Sequence, residues 1–248
     1  MFVAGLRALL LQTLHPLAMA GVAQHSDYRN DPWGRLQRTA RYIAVTTYRP
    51  RAEAQLAIDR VRAVHARIAG TASDSRTYAA TDPDLLLWVH ATEVDSFLRS
   101  YQRYGRNRLS RKQVDQYVAE MSEFGVALGV STRDVPTTFG QLRRYLATVD
   151  GLRVSAEAQQ AVRFLLLPPV AASLAPGYAV IALGAIELLP WWARVELNLL
   201  LPPGLDRLVA RPTSGLLLNV LQWSKPIPST PNESEGVDDA TSTSTQSD

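Results

Sequence analysis

The stretch SRKQVDQYVAEMSEFGVALG, Ser110–Gly129, opens on a capping signature and closes on a glycine. Ser110 and Gln113 stand at the spacing at which a helix-initiating hydroxyl and a residue three positions on satisfy each other's backbone N–H groups. Between these marks Val114, Tyr117, Val118, Met121, Gly125 and Leu128 return every three or four residues, with charges between them. That periodicity predicts an amphipathic helix over 110–129. It sets the reading for the rest of the chain, because the same grammar recurs on both sides and no segment shows sustained alternation with hairpin turns.

Working outward, Thr138 and Gln141 repeat the capping spacing, and Asp31-Pro32 and Asp82-Pro83 each pair a cap with a proline at the first helical position. Ala57, Val61, Val64 and Ile68 mark one helical face, and Leu86, Val94, Phe97 and Tyr101 mark another. Helices are expected near 2–24, 33–48, 51–69, 83–104, 110–129, 138–149, 155–167, 171–187 and 190–200, with breaks at His15-Pro16, Pro168-Pro169 and Pro202-Pro203-Gly204. The fold class is all-α, a single globular multi-helix domain over residues 1–225. Beyond Lys225 the chain is Ser, Thr, Pro, Asn and acid with almost nothing to bury, so 226–248 is expected to be a disordered acidic tail.

Charge follows the same boundary. The net charge is +3, but the tail carries Glu233, Glu235, Asp238, Asp239 and Asp248, which leaves residues 1–225 with 26 bases against 18 acids, a net +8. Solvated helix faces account for such an excess, and attraction to an anionic membrane surface is the sharper alternative. The bases are scattered, without aromatic interleaving, so nucleic acid is not an expected partner. No cysteine is present, which excludes disulfides, thiolate-ligated metals and cysteine nucleophiles together. The apolar start lacks the basic flank of an export signal, and a cytoplasmic location, with peripheral membrane contact as the alternative, is expected. The apolar run Val170–Leu189 is broken by Pro176-Gly177 and carries Glu187, so it reads as core rather than a membrane span.

All four histidines, His15, His25, His65 and His90, fall in the first 90 residues. Imidazole is the commonest transition-metal ligand, heme iron included. His65 belongs to the apolar face of Val61, Val64 and Ile68, and there it either satisfies its nitrogens with polar neighbours or ligates a metal. His90 sits between Leu86 and Val94, with Glu93 one turn later as a hydrogen-bonding or surface partner. His65, His90 and Glu93 together are also a conceivable non-heme iron set. His15 marks a proline break and His25 a polar turn. Arg35 and Thr39 share a helix face; near a cofactor the guanidinium can bind a propionate and the hydroxyl can donate to dioxygen, and otherwise they are an exposed arginine and a back-bonding threonine. Glu-x-x-His, His-Glu-x-x-His, glycine-rich phosphate loops and the Gly-x-Ser-x-Gly elbow are all missing.

Taken in order, these segments resemble a known family. Gln12-Thr-Leu-His15-Pro16, Gln24-His25-Ser26, Asp31-Pro-x-x-Arg35-Leu-x-Arg38-Thr39, Arg62-x-Val-His65-x-x-Ile-x-Gly70 and Tyr78-x-Ala80-x-Asp82-Pro83-x-Leu-Leu-x-Trp88-Val-His90-Ala-Thr92 are followed by Glu120, Gly129 and Val135-Pro136. The series, spanning about residues 6–210, is similar to the DUF2236 family of MpaB-type oxygenases and latex-clearing rubber oxygenases. The resemblance implies a globin-related all-α arrangement around heme b and an oxygenase that uses dioxygen on an apolar, isoprenoid or lipid substrate, with the electron donor unspecified. It maps the proximal iron ligand onto His65, the pocket arginine and threonine onto Arg35 and Thr39, and a further pocket or axial position onto His90. The competing expectation is a helical binding or membrane-peripheral protein that keeps this fold without its chemistry.

Overall fold

A computed structural model of the protein describes residues 1–26, 30 and 32–200. The expected acidic tail, the preceding stretch 201–225 and the Asp31 cap lie outside the described residues. Ten helices run in chain order: α1 Phe2–Gln12, α2 Pro16–His25, α3 Pro32–Tyr48, α4 Arg51–His65, α5 Pro83–Tyr104, α6 Arg111–Leu128, α7 Phe139–Thr148, α8 Ala156–Leu166, α9 Ala175–Leu188 and α10 Trp191–Glu196. The described residues are all-α but for one small hairpin between α4 and α5.

The caps act as their sequence requires. The Ser110 and Thr138 hydroxyls accept from the Gln113 and Gln141 backbone N–H groups, and both reciprocal capping boxes are complete. Asp82 accepts from the Asp84 N–H with Pro83 in the first turn. Gly129 ends α6 at φ +117, in the left-handed region where a side chain would be strained. His15-Pro16 splits the first apolar run into two helices bent by 107°, with the His15 ring as the cap of α2.

Two expectations are corrected. The helix expected over 51–69 stops at His65, and Ala69–Thr71 (β1) pairs antiparallel with Thr77–Ala79 (β2), Gly70 opposite Tyr78. Strands of three residues are too short to show alternation, and Ser75, at φ 68, makes the turn between them. Val64 and Tyr101, expected on inward faces, are 56% and 47% exposed, so the inner stripes of α4 and α5 are narrower than the periodicity suggested.

Helix α1 is the centre of the main core. Val3, Leu6, Leu10, Leu11 and Leu14 pack with Trp88 of α5 and Ile181, Ala182, Ala185 and Ile186 of α9. The apolar α9 is therefore core, as expected for Val170–Leu189. A second core joins Ala91, Val94 and Leu98 of α5 to Val114 and Val118 of α6 and Leu142 of α7. Helix α5, 22 residues long, thus presents one side to α1 and another to α6.

Arg7 of α1 is buried inside this packing. Its Nη2 donates to Asp95 Oδ2 at 2.7 Å, its Nη1 to Ser96 Oγ at 2.6 Å and its Nε to the Leu188 carbonyl at 2.8 Å. Desolvation lowers the guanidinium pKa and the Asp95 charge opposes that fall. Arg99 Nε adds a second contact to Asp95 at 2.8 Å. Such a pair contributes little net stability against an apolar replacement, but removing one partner strands the other charge.

Candidate active site

The inner stripe of α4 is Ala54, Ile58, Val61 and His65, spaced four, three and four residues apart. Ala54 and Ile58 are buried and Val61 and His65 half-buried. His65 closes the helix, so its ring lies at the end of an apolar wall. Its Nδ1 is buried and has no hydrogen-bond partner. An orphaned ring nitrogen is costly unless something satisfies it. Burial also lowers the His65 pKa, which keeps the imidazole neutral with a lone pair to offer.

Helix α3 packs along α4 and carries Arg35 and Thr39 one turn apart. Thr39 is exposed at the surface of that helix. The Arg35 side chain lies outside the described residues. Tyr42 follows Thr39 by three positions and Arg35 by seven, hence on the same face, and is half-buried.

Helix α5 carries the second candidate histidine and packs on α6. His90 is 7% exposed and packs on Gly125, where an added Cβ would come within 3.0 Å of the imidazole Nε2 and Cδ2. A methyl at that position would fit only if the ring gave way by a few tenths of an ångström. Burial pushes the His90 pKa down to about 4, so this imidazole is neutral as well. Glu93, one turn on, is half-buried by surface area, yet burial pushes its carboxyl up to about 7. The Glu93 charge, after burial itself, helps raise the phenol pKa values of Tyr42, to about 12, and of Tyr117.

The remaining histidines have structural roles. His15 Nδ1 accepts from the Ala18 N–H at 3.4 Å, and its ring lies 6.2 Å from that of Trp88. His25 Nε2 is 3.1 Å from the Tyr78 hydroxyl, which donates to Gln24 Oε1 at 2.7 Å. Glu120 is an exposed acceptor for Gln116. Among the described residues no group of three His, Asp or Glu could hold a metal ion, so His65, His90 and Glu93 do not form the conceivable non-heme set. No single described helix is long and apolar enough to cross a membrane; the bent pair α1 and α2 meets the test only jointly, and α1 is largely buried in the core.

Tyr42 and Tyr117, whose phenol pKa values burial and the Glu93 charge raise, are not among the candidates that the sequence singles out. Tyr117 was taken as one more core position of α6. Tyr42 carried a usable signal, since it shares the face of Arg35 and Thr39.

The family model described as ER-bound oxygenase mpaB/B′/rubber oxygenase, catalytic domain, matches residues 1–219. No curated protein and no solved structure matches the chain.

Proposed function

Because the chain belongs to the family of mpaB/B′ and rubber oxygenase catalytic domains, an oxygenase family, we propose that it is a heme b-dependent oxygenase acting with dioxygen on an apolar, isoprenoid or lipid, substrate. The observation that carries the heme reading is the orphaned, buried Nδ1 of His65 at the end of an apolar helix face. A neutral imidazole with a ring nitrogen free of protein partners is a group that could ligate a heme iron.

Heme b, when bound, supplies the redox chemistry that activates dioxygen. The chain's own residues hold and shape. His65 would ligate the heme iron, and its desolvation keeps the proton off the ring at neutral pH. Ile58 and Val61 wall it from water. Arg35 would pair with a propionate, and Thr39, one turn along α3, would present a hydroxyl to dioxygen; both roles rest on helix position and the family pattern. His90, locked against Gly125 and uncharged, keeps the far wall neutral.

The test is an absorption spectrum after heme reconstitution. Wild-type protein is expected to show a Soret band that shifts with carbon monoxide after reduction, and His65→Ala to lose it with helicity retained by circular dichroism. A colourless wild-type protein would sink the heme assignment.

A further inference from the structure

Residues 96–114 form the end of α5, the loop after it and the first turn of α6. They carry Arg99, Arg103, Arg106, Arg108, Arg111 and Lys112 and no acid, and all six bases are exposed. Arg99 pairs with Asp95, and Arg103 with Glu187 at 3.2 Å. Asp115, the next acid along the chain, accepts from the Phe139 N–H. The loop between the helices is held in shape. The Gln102 amide donates to the Leu109 carbonyl at 3.1 Å and accepts from its N–H at 3.0 Å, which clasps the two ends of the turn. Gly105 lets the chain double back on Tyr101, since a Cβ there would meet the Tyr101 carbonyl at 2.5 Å and its ring at 3.3 Å.

This arrangement works against local stability. Like charges crowd one turn, and Arg111 and Lys112 open α6, where the macrodipole favours acids. The side chains that fix the turn, Gln102 and Gln113, are neutral amides where glutamate would ease the repulsion. Apolar side chains flank the bases. Tyr101 is 47% exposed at the foot of the loop and Phe2 is 45% exposed. A Cβ on Gly184 would lie 3.1 Å from the Tyr104 hydroxyl and 3.5 Å from the Val3 side chain, so the start of α1 sits beside the end of α5.

We propose that this end of the molecule docks on an anionic lipid bilayer, with Arg106, Arg108, Arg111 and Lys112 on the headgroups and Tyr101 and Phe2 at the interface. Clustered bases are drawn to an anionic leaflet, and exposed aromatic side chains settle at headgroup level. A nucleic acid would answer the charge but leave Phe2 without an apolar partner. The docking goes beyond the oxygenase reading and stands without heme.

The experiment is co-sedimentation of the full-length protein with phosphatidylcholine vesicles, with and without about a third phosphatidylserine. Binding is expected to need phosphatidylserine and to weaken as salt rises from about 0.05 M to about 0.5 M. Each base contributes roughly fivefold, so Arg106→Gln with Arg108→Gln should lower partitioning about twentyfold at low salt. Arg51→Gln with Arg60→Gln, the same charge change on the exposed side of α4, should lower it less than about threefold. Phe2→Ser should weaken binding and leave its salt dependence unchanged, as loss of an apolar contact does. Equal losses from the two arginine pairs would assign the binding to net charge and overturn the docking face. Equal binding to pure phosphatidylcholine overturns it too, as does release of vesicle-bound protein by duplex DNA at equal phosphate. Apo and heme-loaded protein are expected to bind alike, which separates this result from the heme assignment.

Discussion

The two sides of α5 are built on opposite rules. Toward α1 and α9, Trp88, Thr92, Asp95 and Ser96 are at most 2% exposed, and the charge of Asp95 is matched by Arg7 and Arg99. Toward α6, His90 packs on Gly125, and burial pushes the pKa of His90 down and that of Glu93 up. One side pairs its polar groups with each other, and the other, the reserve side, carries two titratable groups that burial shifts in opposite directions. Titratable groups shifted by burial and gathered on one side are a mark of use rather than of stability. Trp88 Nε1 is the exception on the packed side, buried without a partner; no physical account of it follows from its neighbours.

The largest expected effect lies on the packed side. Asp95→Ala leaves the Arg7 guanidinium buried against Ser96 and a carbonyl alone, and should cost about 3–5 kcal/mol in urea denaturation. A loss under about 1 kcal/mol would mean that Arg7 escapes to water and that the two sides differ less than described. Next comes Gly125→Ala, which forces the His90 ring to move by overpacking. It should cost about 1–3 kcal/mol and alter the absorption spectrum of the heme-reconstituted protein.

The reserve side has its own pH signature. His90 titrates at about 4 in the folded chain against 6.5 unfolded, so its contribution to stability is complete above pH 6.5 and is lost as the pH falls toward 4. Glu93 titrates at about 7 against 4.5, so its contribution is complete below pH 4.5 and is lost as the pH rises toward 7. Between pH 6.5 and 4.5 the two slopes oppose each other and nearly cancel. Glu93→Gln removes one of them, and its Tm should fall by several degrees on acidification across that window while the wild type stays nearly level. A variant as level as the wild type would show that these groups are not desolvated. The smallest effect is expected at Glu120, a family-pattern residue on an exposed face: Glu120→Ala should change stability by less than about 0.5 kcal/mol in the same denaturation assay and leave the heme spectrum untouched.

Much of the fold was legible because helix ends are local chemistry. Ser110, Thr138 and Asp82 announced their helices and Gly129 its end, and α5 runs over the expected 83–104. What escaped was set by partners distant in sequence. Arg7 and Asp95 are separated by 88 positions, and neither residue's neighbourhood hints at the other. The β1–β2 hairpin was invisible because three residues hold no period. In the site, the depth of His90 was legible from Leu86 and Val94. The gap that admits its ring was not, since Gly125 looked like one more small residue on the face of α6.

The buried pair at Asp95 also fixes an angle. Side-chain atoms ride on a helix at a radius of about 5–6 Å, so a turn of α5 by some 20° about its own axis would carry Glu93 and His90 sideways by roughly 2 Å. Arg7 grips Asp95 and Ser96 from the opposite side and is itself tied to the Leu188 carbonyl of α9. The guanidinium therefore works as a key in a shaft, and the aim of the pocket residues is set from the far side of the helix that carries them.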